Sequence, residues 1–354
     1  MFRIPSRWHL IASSLILVAV THRTAAAWQP ESSIVIGAAL ENGAAPSTDP
    51  LNTPFGIGFD ARGTMYIVEL EGGRVHKLDS GGKLTTIAGD GSKGYSGDGG
   101  PAKLATFNGM HNVAVTPAGD LYIADSWNHC VRKIAADSGM ISTIAGTGQA
   151  GFSGDGGPGK KATFDFVMCV SLNPANDKLY VADLRNLRIR TLDLRTGLVR
   201  TIAGNGKKGI PEDGGVAIHS PLVDPRAVAV DHEDNVYILE RGGHSLRVVT
   251  PDGKIRTVAG TGERGAADGP ARSAQLNSPK HLAIDAKGNV IIADDVNAKI
   301  RLYDPSRQEL STILGGGVTQ PPRELSHPHG VYVHQDRTVY VVDTMHHRIL
   351  RLTR

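Results

Sequence analysis

Cysteine is scarce in this sequence, no sign of charge is in excess, and no apolar run is long enough to cross a membrane comfortably. Its 354 residues include two cysteines, Cys130 and Cys169. Two are few for an exported chain, and they lack metal-ligand spacing to each other. The sequence leaves open whether they form a disulfide. The formal charge of +3 comes entirely from residues 1–27, which hold Arg3, Arg7 and Arg23 and no acid. Without them, 35 basic residues face 35 acidic ones. A neutral chain does not neutralise phosphates, so nucleic acid is excluded as the expected partner. With 40% hydrophobic and 21% charged residues, the chain is neither disordered nor a multi-span membrane protein. No long segment carries a 3.6-residue apolar period. No Gly-x-Ser-x-Gly elbow and no clear Ser-His-Asp arrangement is present. The Gly-Asp-Gly segments at Asp98 and Asp155, and looser versions at Asp213 and Asp268, lack the Lys-Ser/Thr of a phosphate loop. Each has too few acids for a calcium loop and reads as a tight turn.

The apolar run that does occur, Leu10 to Val20, has 11 residues. It follows a basic stretch and precedes Ala25-Ala26-Ala27, the pattern of a cleaved signal peptide. Residues 1–27 are therefore expected to be removed. The expected product, 28–354, is a secreted or periplasmic monomer with no membrane insertion after cleavage.

Glycine is plentiful, at 43 residues, and follows no three-residue period. It marks a longer repeat. Thr-Ile-Ala-Gly, or a close variant, ends at Gly89, Gly146, Gly204, Gly260 and Gly315, and a looser copy ends at Gly37. Inside each unit lies a second marker: Tyr66–Glu69, Tyr122–Asp125, Tyr180–Asp183, Tyr237–Glu240, Ile291–Asp294 and Tyr340–Asp343. Short Val/Ile/Tyr-rich runs separated by Gly, Asn and Asp turns read as four antiparallel strands per unit. Six such units predict an all-β, six-bladed β-propeller. The expected blades span approximately 51–89, 105–146, 163–204, 220–260, 274–315 and 325–354. The last unit has only three strands, and residues 32–37 are a fourth without a blade. Their pairing would close the ring and remove an exposed edge.

The run Tyr-Ile-Ala-Asp-x-x-Asn-x-x-Val-Arg at 122–132, with copies at 180–190 and 291–301, resembles the NHL repeat family. The glycine-rich linkers, such as 88–101, resemble those of secreted bacterial members. The resemblance covers 32–354. It implies the propeller fold and a binding or interaction module, and leaves the activity open. Related propellers that act as peptidyl-hydroxyglycine lyases use channel histidines on zinc. This implies an alternative reading as a metal-dependent lyase or lactonase-like hydrolase.

In a propeller the innermost strand of each blade lines the channel, and the long linkers share a face with the channel mouth. Aligning the inner strands places Phe55, His111, Met168, Arg226, Lys280 and His329 in the first ring of the mouth. Gly56, Asn112, Cys169, Ala227, His281 and Gly330 form the next. The first ring is basic on one side and contains no carboxylate, which suits an anionic ligand. Trp127, Tyr95 and Phe152 are unrepeated aromatics on the same face, able to stack on a sugar or anchor a protein. The expected binding residues are Trp127, Tyr95, Phe152, Arg226, Lys280 and His329. The expected partner is a protein, a glycan or a small anion, with no cofactor. The alternative reading places one zinc or other divalent metal on His111, His281 and His329. The repeated Asp125, Asp183, Asp294 and Asp343, and the arginines Arg132, Arg190, Arg247 and Arg301, are expected to serve the turns, because one residue used in most blades does the same job in each.

Overall fold

A computed structural model describes residues 1, 30–37, 51–316, 324–335 and 337–353. The expected signal peptide, apart from Met1, lies outside them.

The described chain is a six-bladed β-propeller of antiparallel blades. Blade 1 contains strands Pro54–Phe59, Met65–Glu69, Val75–Leu78 and Leu84–Ala88, hydrogen-bonded in that order. Blade 2 repeats the pattern from Met110–Val115 to Ile141–Ala145, and blade 3 from Val167–Leu172 to Val199–Ala203. Blade 4 runs from Pro225–Val230 to Lys254–Ala259 and blade 5 from His281–Ile284 to Glu309–Gly315. In blade 6, Pro328–Val333, Val339–Asp343 and Arg348–Thr353 come from the C-terminal end. The strand Glu31–Gly37 supplies the fourth position and pairs antiparallel with Arg348–Thr353. Neighbouring inner strands touch around the whole ring, ending with Pro328–Val333 against Pro54–Phe59. The ring therefore has no open inner edge.

The outer edges are managed by the linkers. The chain entering blades 4 and 5 lays a two-residue strand, Gly215–Val216 or Gly269–Pro270, on the blade's outermost strand. In blades 2 and 3 a single bridge does the same, Pro101 to Met140 and Pro158 to Leu198. Proline and a sharp turn end the pairing there, which blunts the edge against further strands.

The repeated acids are structural. Asp125, Asp183, Asp294 and Asp343 each accept the backbone N–H of a residue 17 or 18 positions earlier, at 2.6–2.8 Å. Each also pairs with a fully buried arginine of its own blade: Arg132 at 3.4 Å, Arg190 at 3.6 Å, Arg301 at 2.8 Å and Arg348 at 2.7 Å. In blade 4 Glu240 and Arg247 form the pair, at 2.7 Å, and in blade 1 Glu69 and His76, at 3.1 Å. Three of these arginines also reach the linker acids Asp98, Asp155 and Asp268. Each linker acid thus fastens a linker to its blade. Both cysteines are free and buried.

Candidate ligand site at the channel mouth

Every inner strand starts the same way on the linker face. A residue with left-handed backbone comes first: Thr53, Gly109, Phe166, Asp224, Ser278 and His327, with φ of 50–69°. Two residues later comes the side chain of the first ring. In blades 1, 4, 5 and 6 the residue between is proline, whose fixed φ starts an extended strand without needing an N–H. This shared turn delivers Phe55, His111, Met168, Arg226, Lys280 and His329 to one level.

The first ring fills its own centre. Phe55, His111, Met168 and Arg226 are all buried. The Phe55 ring lies between His111 and His329, with centroids at 4.7 and 4.3 Å. The Arg226 guanidinium sits 5.6 Å from the same ring. Trp127 stands half-buried at the rim, 6.1 Å from His111, with Lys93 over its indole at 5.3 Å.

The six ring positions hold no acid, but an acid from a nearby turn reaches them. This is Asp295, buried in the second-to-third-strand turn of blade 5. Its Oδ2 lies 3.4 Å from Lys280 Nζ, and its Oδ1 lies 2.9 Å from His327 Nδ1 and 3.4 Å from His329 Nε2. Burial raises the Asp295 carboxyl, but hydrogen bonding from His329 and the charge of Lys280 outweigh it and hold the group at about 2. Lys280 is lowered by burial and by the charge of Arg226. Lys280 is thus a neutralised cation rather than a free one.

Arg226 is different. It is 3% exposed, and among the described residues it forms no hydrogen bond and no ion pair. Its Nε is buried without a partner. The neighbouring acid Asp224 is already engaged by Arg241 Nε at 2.6 Å. Burial lowers Arg226 to about 10, with Arg241 adding repulsion. The group remains a cation at neutral pH, with Asp224 and Asp295 as nearby charges but no ion-pair partner among the described residues.

One layer deeper, the channel is shut. Asn112 of blade 2 and His281 of blade 5, from opposite sides of the ring, meet across it at 2.8 Å between Nδ2 and Nε2. The amide is oriented by Val170, whose N–H donates to Asn112 Oδ1 at 3.0 Å. Cys169 Sγ closes the third side, 3.8 Å from Asn112 Oδ1 and 3.9 Å from His281 Nε2. Two glycines make the close approach feasible. A Cβ on Gly56 would lie 2.7 Å from Asn112 Cα, and one on Gly330 would lie 2.5 Å from the Phe55 carbonyl oxygen. Burial lowers His281 to about 4, with Arg226 adding repulsion, and burial raises the Cys169 thiol to about 11. Both are neutral at pH 7. Below this layer a cavity of about 290 Å³, lined by Asn112, His281, Ser171 and Asn173 as well as Val113 and Val228, belongs to the opposite half of the channel.

Of the expected site residues, the structure gathers Trp127, Arg226, Lys280 and His329 at the mouth. Tyr95 and Phe152 lie elsewhere. Tyr95 covers Arg132 at 5.1 Å and bonds Thr143 in the outermost strand at 2.9 Å. Phe152 stacks on Arg188 at 3.7 Å and shields Arg190 at 5.1 Å. Both lie over the outer halves of their blades, as lids on buried cations. The histidine triplet His111, His281 and His329 is not one ligand set. His281 Nε2 is bound by Asn112 in the deeper layer, and His111 Nδ1 faces the Gly109 carbonyl oxygen at 2.8 Å. Among the described residues, the three His and acid side chains with ligand atoms within 4.8 Å of one another are Asp295, His327 and His329. Asp295 and His327 escaped the sequence reading. A signal for each existed: Asp295 is the sole acid at its turn position in six blades, and His327-Pro328-His329 is unique in the chain.

The NHL repeat model matches residues 107–134 and 325–352, which fall in blades 2 and 6. The chain is 29% identical over 276 residues to Suppressor of quenching 1, chloroplastic, of Arabidopsis thaliana, covering 74% of this chain and 26% of that protein. It is 27% identical over 346 residues to chicken NHL repeat-containing protein 2, covering 85% of this chain and 46% of that one. The chain thus spans less than half the length of these curated relatives. Among solved structures it resembles an auxiliary nutrient binding protein from Bacteroides thetaiotaomicron, with a TM-score of 0.66 at 13% identity, over 92% of this chain and 77% of the other. That likeness concerns the fold. With a closed ring of six blades and the repeat matched in blades 2 and 6, the chain is a six-bladed β-propeller that carries NHL repeats.

Proposed function

We propose that this propeller is an extracytoplasmic binding module that holds a small monoanionic ligand, a carboxylate on an apolar body, at the linker-face mouth of its channel. The observation that carries the reading is the unpaired Arg226. A buried guanidinium without a partner is costly to the fold, and a planar bidentate donor is the group best suited to a carboxylate. Lys280 is balanced by Asp295, so the mouth presents one net positive charge, which matches one negative charge on the ligand. Trp127, half-buried at the rim, supplies aromatic surface for the rest of the molecule. The location rests on the N-terminal sequence. The binding role agrees with the name of the Bacteroides structure of the same fold.

Calorimetric titration with acetate, benzoate and phenylacetate tests the reading. Phenylacetate and benzoate should bind one per chain and more tightly than acetate, and Arg226→Met should abolish binding while leaving the protein folded. Absence of heat for all three carboxylates, or equal binding by the variant, contradicts it. N-terminal sequencing of protein recovered from outside the cytoplasm should begin at Trp28.

A further inference from the structure

We propose that Asp295, His327 and His329 form a site for one divalent transition-metal ion of the zinc class, beside Arg226 and independent of the carboxylate reading. Two imidazole nitrogens converge on one carboxylate oxygen: His327 Nδ1 at 2.9 Å and His329 Nε2 at 3.4 Å from Asp295 Oδ1. Ligands bound tetrahedrally at 2.0–2.2 Å stand roughly 3.3 Å apart, so both nitrogens already stand near that spacing from Asp295 Oδ1, and all three ligand atoms lie within 4.8 Å of one another. This is a two-histidine, one-carboxylate donor set with room for an outside ligand.

The surroundings fix these donors. Asp295 is held by a turn whose next residues are pinned: Asn297 donates to Asp294 and to the Gly265 carbonyl. The second oxygen of Asp295 is taken by Lys280 Nζ at 3.4 Å, which orients the carboxylate and leaves Oδ1 toward the histidines. His329 packs against Phe55 at 4.3 Å, and its Nδ1 is buried without a partner, so Nε2 is the nitrogen it offers. Pro328 between the two histidines, with left-handed backbone at His327, sets both rings on one side of the strand start. His327 is the exposed member, with 54% of its side chain accessible. It provides a way for the ion to enter. The site differs from the triplet His111, His281 and His329, and shares one residue with it.

The test is a titration of the untagged, chelator-stripped full chain with Co²⁺, followed by visible absorption and then displacement with Zn²⁺. One equivalent of Co²⁺ should saturate d–d bands, and one equivalent of Zn²⁺ should remove them. His327→Ala changes an exposed side chain and should keep the native circular dichroism while weakening Co²⁺ affinity more than about 100-fold, and Lys280→Met should weaken it about tenfold. Asp295→Asn should also lose the bands. Arg226→Met should keep them, so the metal result stands whatever becomes of the carboxylate reading. No saturable band at one equivalent, or unchanged affinity in both His327→Ala and Asp295→Asn, overturns the proposal.

Discussion

The arginines buried in the blades and the arginine buried at the channel mouth are the same residue type in opposite circumstances. Arg132, Arg190, Arg301 and Arg348 are fully buried, and each meets an acid of its own blade within 3.6 Å. Each also donates to a backbone carbonyl of a linker or of the segment leading into its blade's inner strand, as Arg190 does to Ser153 and Thr163. Arg226 is nearly as buried and, among the described residues, meets none. The blade arginines obey the rule that a buried charge is paired, and their recurrence marks them as part of the fold. Arg226 occurs in one blade and breaks the rule. A repeat protein offers its own control here. What recurs holds the blades together, and what departs from the repeat without a structural partner is free to meet a ligand.

The largest effect should come from breaking a paired cation. Arg190→Met leaves Asp183 and Asp155 without their shared partner and should cost about 3–5 kcal/mol in chemical denaturation. A loss below 1 kcal/mol would blur the distinction between the two arginine classes. A smaller effect concerns the plug. Unfolded His281 takes up a proton near 6.5, whereas in the folded chain it does so only near 4. Acidification below 6.5 therefore favours the unfolded state. Between pH 7.5 and 5 the wild type should lose about 2 kcal/mol more stability than His281→Gln, measured by denaturant titration at both pH values. Equal losses would mean that the imidazole is not held neutral. The smallest effect is expected at the lids. Phe152→Ala uncovers Arg188 and Arg190 and should cost roughly 1 kcal/mol or less, with carboxylate binding unchanged. A loss of binding would put Phe152 back in the site.

The propeller was legible in the sequence because its signals repeat. Six glycines spaced 52–58 residues apart, with a marker strand in each interval, specify six equal units. The strand-sharing closure follows from counting strands at the two ends. The first channel ring was legible too, since aligned inner strands place aligned residues at one level. What the alignment did not reveal is reach between blades. Asp295 belongs to a turn of blade 5, yet its oxygen meets two histidines of blade 6, and no register of a single strand predicts that contact. The linker aromatics misled for a related reason. Tyr95 and Phe152 are 43% exposed, as a hot spot would be, but their inner faces cover Arg132 and Arg190, which the repeat had already named. Histidine was underused as well. His129, His244 and His347 occupy one turn position in alternate blades, and each Nδ1 accepts the N–H of the left-handed residue opening the next blade, at 3.1–3.2 Å. Aligned by slot, they read as clasps rather than scattered candidates.

The most direct measurement is the unfolding free energy of Arg226→Met against wild type, without ligand, at neutral pH. If Arg226 is kept for a ligand, replacing a buried, unpaired cation with an apolar side chain of similar length should stabilise the propeller by about 1–3 kcal/mol. If the variant is instead destabilised in the manner of Arg190→Met, then Arg226 is a structural residue and the mouth of the channel is not the site.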